Sequence, residues 1–142
     1  MDRIRRRQIA PVHFYILRNS NFNTTGTPIP FDLAVVNEGN AMDLTLGIFT
    51  APRAGINFFS FTGLAEFPPS SSSVYLGVSL HLNGGRIGSG VVEEPNNVAR
   101  QLLPLTVHST LNLKSDDQVW MEIIQMSSGT AYLFNNYYLD LF

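Results

Sequence analysis

The amino-acid sequence predicts an all-β fold of the sandwich or barrel class. The first observation is a period-two alternation of apolar and polar side chains, the pattern of strands with one buried face. The second is the number of turn-forming stretches between these strands. The third is the scarcity of helical pattern: the one candidate, residues 98–103, is stopped by Pro104 after scarcely more than one turn. Many short strands without helices indicate packed sheets.

Three long strands carry the clearest alternation. Residues 74–82 have valine or leucine at every even position, and residues 105–113 and 119–123 repeat the pattern. The triplet Asn83-Gly84-Gly85 follows the first of these strands, and its residues tolerate the positive φ angles of a tight hairpin turn. We therefore expect the chain to double back through residues 86–92 as an antiparallel partner.

Shorter extended segments complete the predicted fold. They are expected at residues 12–17, 48–50, 56–62, 131–134 and 138–142. Stretches rich in proline, serine or asparagine separate them, at Pro28, Pro30, Pro52, residues 68–73 and residues 93–97. No internal repeat or linker divides the chain. The sequence therefore predicts a basic N-terminal arm, residues 1–10, followed by one globular domain, residues 11–142.

Composition narrows the classes of partner. Hydrophobic residues make up 44% of the 142 residues and charged residues 14%, which argues against disorder and favours surface that is buried in an oligomer. The net charge of -2 gives no general attraction to nucleic acid, although four of the nine basic residues lie in the first seven positions. No apolar run suits a signal peptide or a membrane span, and the absence of cysteine excludes disulfides.

Several short motifs, taken in order and spacing, resemble the globular domain of the complement C1q family. The resemblance extends over roughly residues 11–142. The motifs are Pro30-Phe31-Asp32, Asn37-Glu38-Gly39-Asn40, Gly47-Ile48-Phe49-Thr50-Ala51-Pro52, Gly55-Ile56-Asn57-Phe58-Phe59-Ser60, Leu80-His81-Leu82-Asn83-Gly84 and Leu113-Lys114-Ser115-Asp116-Asp117-Gln118-Val119-Trp120.

The sequence departs from the family pattern at three positions. Asn57 replaces the usual tyrosine, Asp116 replaces the glycine before the turn aspartate, and Asp140 replaces a glycine of the final strand. The Gly-X-Y collagen repeats of the family's stalk are missing from this sequence, so effector functions carried by that stalk are not transferred. The chain resembles the short members that consist of the globular head.

The resemblance implies a C1q/TNF-like jelly-roll sandwich of about ten antiparallel strands. It implies a secreted homotrimer without catalytic activity, which binds microbial or other extracellular carbohydrates, lipids or proteins in the manner of lectin-like innate-immunity receptors. Three copies of a weak site gain avidity on a repeating target. The residues that would carry the structural motif are Phe31, Asn37, Gly39, Phe49, Gly55, Phe58, Asp117 and Trp120.

Two groups of contact residues are expected. Ligand contacts are assigned to the hairpin at Asn83, Gly84 and Arg86 and to Glu93 and Glu94, together with the loop at residues 66–73. The subunit interface is assigned to Phe59, Phe61 and Tyr138. Phe58 falls on one face of its strand and Phe59 and Phe61 on the other, so both faces need cover, and association is favoured over burial beneath a loop.

Motifs for metal or enzyme chemistry are sparse. His13, His81 and His108 lack the H-x-H or H-E-x-x-H spacing of metal sites, which argues against a metal-dependent cupin enzyme. Ser89 is not set in a nucleophile elbow. Asp116 and Asp117 are candidates for Ca²⁺, which some C1q-like proteins bind; the simpler interpretation is a turn in which Asp117 accepts backbone N–H groups. No other cofactor is indicated.

Alternative functions remain at this point. The arginine-rich arm is compatible with a processing site, a solvated terminus or a nucleic-acid arm. The last would suit a capsid-like structural jelly roll. A TNF-like ligand with a dedicated receptor is a further alternative. The triplet Asn23-Thr24-Thr25 is a glycosylation sequon, usable if the chain is secreted.

Overall fold

The computed structural model describes residues 12–95, 99–127, 131–134 and 137–141. The predicted basic arm, residues 1–10, lies outside this part. The described residues form eleven β-strands, and no helix among them is long and apolar enough to cross a membrane. The strands are His13–Arg18 (β1), Leu33–Glu38 (β2), Met42–Asp43 (β3), Ile48–Thr50 (β4), Gly55–Phe67 (β5), Val74–Leu82 (β6), Gly85–Glu94 (β7), Gln101–Leu113 (β8), Gln118–Met126 (β9), Tyr132–Leu133 (β10) and Tyr137–Leu141 (β11).

Two antiparallel sheets pack face to face and confirm the predicted all-β sandwich. Sheet I has the strand order β2, β1, β11, β5, β8, and β10 pairs with β5 beyond the end of β11. Sheet II has the order β3, β4, β9, β6, β7. The longest pairing joins β5 to β8, from Gly55 opposite Leu113 to Phe67 opposite Gln101. The core lies between the sheets.

Aromatic side chains fill the centre of this core. The rings of Phe14 and Phe49 lie 5.7 Å apart, and those of Phe49 and Phe59 lie 5.5 Å apart in an edge-to-face arrangement. Such pairs add roughly 0.5–1.5 kcal/mol to the stabilisation from buried area. Strands from both sheets contribute, since β1 and β5 belong to sheet I and β4 belongs to sheet II.

The core contains two residues that the sequence analysis assigned to a subunit interface. Phe59 is 1% exposed and Phe61 is fully buried within the single chain. That assignment is wrong, because the odd positions of β5 face sheet II and the even positions, including Phe58, face away from it. Tyr138 belongs to β11, where its backbone pairs with Thr62; its side chain lies outside the described structure.

Strand β8 replaces the helix candidate. Residues 101–103 are extended, and Pro104 lies inside β8 opposite Leu64. Proline lacks the N–H that a central strand needs, but β8 is the edge strand of sheet I and tolerates it. Residue 98 lies outside the described residues.

Turns follow the expected chemistry at the β6–β7 hairpin. Asn83 and Gly84 have φ angles of 51° and 92°, which confirms the predicted tight turn. Strand β7 then carries Gly88 and Gly90 next to β8. A Cβ atom on Gly88 would lie 2.9 Å from Ser109 Oγ, and one on Gly90 would lie 3.1 Å from the Thr106 carbonyl oxygen. The missing side chains let the edges of the two sheets approach each other here.

Candidate interaction surfaces

The outer face of sheet I exposes several large apolar side chains, and the outer face of sheet II exposes Ile87 and Val91 of β7. The face of sheet I consists of the even positions of β5 and β8 and the neighbouring outward positions of β1 and β2. Ile56 is 73% exposed, Leu33 43% and Leu102 39%. Phe58 is half-buried and stacks on the His108 ring at 5.7 Å and 12°. Apolar side chains are therefore exposed on this face, interspersed with the exposed polar side chains of Thr106, Thr110 and Asn112.

The Glu66 carboxylate, at one end of this face, forms an ion pair with Arg100. Glu66 is 6% exposed and accepts two hydrogen bonds from the Arg100 guanidinium, from Nε and, at 2.9 Å, from Nη2. The Arg100 hydrogen bond is the main reason that the pKa of Glu66 is lowered, and a hydrogen bond with Tyr132 contributes. The Arg100 side chain is 57% exposed and lies over the Phe134 ring at 5.7 Å.

A hydrogen-bonded junction links two turns at the opposite end of the molecule. Asn83 Nδ2 donates to Asp117 Oδ1 at 2.9 Å, and Asn83 Oδ1 accepts from the Gln118 backbone N–H at 2.8 Å. Asp117 Oδ2 accepts from the Lys114 backbone N–H at 2.8 Å. The Lys114 bond and then the Asn83 bond lower the pKa of Asp117. Asp117 therefore accepts one backbone N–H within the turn, whereas the N–H of Gln118, which begins β9, is bonded to Asn83.

The structure separates the predicted ligand residues into two groups. Asn83, Gly84 and Arg86 lie at the start of β7, whereas Glu93 and Glu94 lie at its end. Seven residues of strand correspond to about 23 Å between Arg86 and Glu93. One small ligand on a single chain cannot contact both groups. Glu93 lies next to the serine-rich loop and accepts from Ser73 Oγ at 3.4 Å. Ligand binding by these residues stays a prediction.

Sheet II carries a polar cluster on its outer face. The rings of His81 and Trp120 are parallel, with centroids 6.0 Å apart. Trp120 Nε1 donates to Glu122 Oε2 at 2.8 Å, and Glu122 Oε1 lies 3.8 Å from His81 Nε2. His81 is 6% exposed, and its Nδ1 is buried without a hydrogen-bond partner in the described structure. The sequence does not predict this cluster, because it forms between the paired strands β6 and β9.

The three histidines lie on different strands, at β1, β6 and β8. Among the residues that the structure describes, no group of three or more histidine, aspartate or glutamate side chains is arranged to hold a metal ion. Asp117 uses both carboxylate oxygens within the turn junction. Ca²⁺ binding at Asp116 and Asp117 stays a prediction.

Known proteins share sequence features and the fold of this chain. Residues 13–138 match the C1q domain family, which is most of the chain. The chain belongs to the C1q domain family. The globular domain of zebrafish complement 1qA protein has a similar fold, with a TM-score of 0.63 and 21% sequence identity over 93% of this chain and 96% of that one. This C1q domain therefore has the C1q/TNF-like jelly-roll architecture that the motifs predicted.

The motif residues of this C1q domain serve different structural purposes. Phe31 and Phe49 are core residues. Asn37 Nδ2 donates to the Met42 carbonyl oxygen at 3.1 Å, and Gly39, with a φ angle of 85°, forms the turn between β2 and β3. Gly55 begins β5. The remaining three motif residues lie in the surfaces described above: Phe58 on sheet I, Trp120 on sheet II and Asp117 in the turn junction.

Proposed function

We propose that this C1q domain is a secreted, homotrimeric binding module without catalytic activity of its own. The outer face of sheet I would form the subunit interface. The loops at the two ends of β7 would contact microbial or other extracellular carbohydrates, lipids or proteins. The observation that carries the proposal is the exposure of large apolar side chains, such as Ile56 and Leu102, on the outer face of sheet I.

The composition of that face supports a buried interface. Across β5 and β8 the twelve outward positions are the even residues 56–66 and 102–112, and Glu66 is the one acidic or strongly basic residue among them. Its charge is already balanced by Arg100. Burying the face would therefore remove apolar surface from water without stranding an unpaired carboxylate. Five of the twelve positions are apolar, and the other seven are polar. Exposed apolar side chains grouped on one face are typical of association sites.

A trimer would also explain how modest loop contacts give useful binding. The two predicted ligand groups, at Arg86 and at Glu93 and Glu94, lie at opposite ends of the domain. Each end would then be presented three times on one rigid body. Such a body gains avidity only on a target whose binding groups repeat at matching spacing, such as a cell surface.

Light scattering after size-exclusion chromatography tests the association. We expect a mass of three times the 15.8 kDa chain at low and high salt. Phe58→Asp should give a folded monomer, because a carboxylate would have to be desolvated in the interface. Leu46→Asp is the matched control: Leu46 is 58% exposed and lies in the turn between β3 and β4, away from sheet I. A monomeric wild type, or a Phe58→Asp variant that stays trimeric, would contradict the proposal.

Binding to intact microbial cells and to immobilised glycans tests recognition. Arg86→Ala and the double change Glu93→Ala with Glu94→Ala alter opposite ends of β7. We expect one of them to reduce the retained protein at least tenfold, and the Phe58→Asp monomer to lose a similar factor through lost avidity. If all three variants are retained on cells and glycans as well as the wild type is, neither the loops at the ends of β7 nor the trimer is needed for binding.

A further inference from the structure

We propose that Asn23 is an N-glycosylation site. The inference rests on the proposed secretion of the chain. Asn23 is followed by Thr24, which is not proline, and by Thr25, which supplies the hydroxyl that the sequon requires. No other asparagine in the sequence is followed two positions later by serine or threonine. Any N-linked glycan on this chain would therefore be attached at residue 23.

The residues of the sequon are exposed, and the residues on both sides of it are fixed by backbone hydrogen bonds. The backbone groups of Phe22 and Leu133 exchange hydrogen bonds at 3.1 and 2.8 Å, and the Gly26 N–H donates to the Ile123 carbonyl oxygen at 3.0 Å. The chain is thus fixed on both sides of the triplet. Asn23, Thr24 and Thr25 themselves are all exposed. A large substituent on the Asn23 amide can extend into solvent while the two flanking attachments stay formed.

The position of the sequon is compatible with the proposed trimer. Phe22 bridges to Leu133 of sheet I, and Thr25 bridges to Ile123 of sheet II. The segment between them therefore crosses from one sheet to the other at the side of the sandwich. Asn23 is not among the outward positions of β5 and β8 that form the proposed interface. A glycan here would shield the side of each subunit and leave the outer face of sheet I accessible.

The modification is a group transfer without oxidation or reduction. An oligosaccharide linked to a lipid pyrophosphate is the required co-substrate. Asn23 Nδ2 forms the new bond to the anomeric carbon of the first sugar, and the bond between that carbon and the pyrophosphate oxygen breaks. The lipid pyrophosphate leaves with the electron pair, and the amide nitrogen loses one proton.

The test uses the full chain behind a cleavable signal peptide in secreting eukaryotic cells. The supplied signal makes the result independent of whether the chain has one of its own. Peptide mass spectrometry before and after enzymatic glycan release shows whether Asn23 carries a glycan, both in the secreted protein and in the protein that stays in the cells. We expect a glycan at Asn23 in the wild type and in Thr24→Ala and Thr25→Ser. It should be absent from Asn23→Gln and Thr25→Ala.

An unmodified Asn23 in the wild type would overturn the inference, as would a glycan that persists in Thr25→Ala. The mass of the assembled protein, measured by light scattering on wild type and Asn23→Gln, separates this outcome from the proposed function. If both proteins are trimers and Asn23 carries no glycan, the glycosylation site is refuted and the proposed trimeric binding module is retained. If the wild type is a glycosylated monomer, the glycosylation site is retained and the proposed trimer is refuted.

Discussion

The side-chain amide of Asn83 bonds to the carboxylate of Asp117 across two turns that lie 34 residues apart in the sequence. Its carbonyl oxygen accepts the Gln118 N–H as well. The hairpin between β6 and β7 is thereby attached to the turn between β8 and β9. Neither bond involves the core, so their contribution can be measured without disturbing packing.

Replacing Asn83 should lower stability in two separable steps. Asn83→Gly keeps a backbone that accepts a φ of 51° but removes both side-chain bonds, which should cost about 1 kcal/mol. Asn83→Ala removes the same bonds and adds the left-handed backbone penalty of about 1–2 kcal/mol. Urea unfolding of both variants measures the two steps. If the glycine variant is as stable as wild type, the junction makes no net contribution.

The ion pair of Glu66 and Arg100 should make the stability of the folded chain depend on pH in the acid range. The pKa of Glu66 is lower in the folded chain than in the unfolded one, where it is about 4.3. Its contribution is therefore present above that value and is lost as the pH falls through the folded pKa. Glu66→Gln should reduce the melting temperature at pH 7 and flatten its decline below about pH 5.

The control for this measurement is Glu38→Gln, because Glu38 is an exposed carboxylate at the end of β2. We expect its pH profile to match that of wild type. Arg100→Met leaves Glu66, which is 6% exposed, without its cation, so it should lose more stability at pH 7 than Glu66→Gln does. A Glu66→Gln profile parallel to wild type across the acid range would show that the pair does not contribute.

Alanine substitutions at Gly26 and Gly47 distinguish the cost of backbone strain from the cost of a steric clash, because the two glycines have nearly equal φ angles. Gly47 and Gly26 have φ angles of 74° and 77°. A Cβ atom at residue 47 would lie 2.1 Å from the Ile29 carbonyl oxygen, whereas one at residue 26 meets nothing within 4 Å. Gly26→Ala should cost about 1–2 kcal/mol, and Gly47→Ala about 2–5 kcal/mol. Thermal unfolding compares them; equal losses would refute the close approach at Ile29.

Replacing the two adjacent phenylalanines of β5, Phe58 and Phe59, should affect different properties of the protein. Phe59→Ala leaves a cavity in the core and should cost about 3–5 kcal/mol of stability. Phe58→Ala removes a half-buried outward ring, so it should cost less than about 2 kcal/mol and should weaken subunit association instead. Denaturant unfolding and light scattering on the same two samples provide the comparison. A larger stability loss for Phe58→Ala would reverse the assignment of the two faces.

The same strand shows what a sequence pattern predicts and what it does not. Alternation along residues 74–82 predicted β6 because the apolar positions all lie on one side. In β5 both sides carry phenylalanine, and the face that is buried depends on where sheet II packs. That is a tertiary relationship, so the sequence alone does not decide whether Phe58 or the pair Phe59 and Phe61 faces outward.

Strand β2 was missed for a different reason. Leu33, Ala34, Val35 and Val36 are consecutive apolar residues without alternation. Their pairing with β1 shifts register between Tyr15 and Ile16, so the period of two is interrupted. The candidate sites show the same limit. The resemblance to the C1q family implied a turn role for Asp117, whereas its bond to Asn83 and the contact of His81 with Glu122 depend on strand pairing.

Strand β11 lies between β1 and β5 in sheet I and is the strand that joins them. During synthesis the β6–β7 hairpin and the β5–β8 pair can form as soon as their own residues emerge from the ribosome. The β1–β2 pair must wait for residues 137–141 before it can join the rest of its sheet. Until those residues emerge, the edges of β1 and β5 that β11 joins stay unpaired, and unpaired strand edges are prone to misassembly.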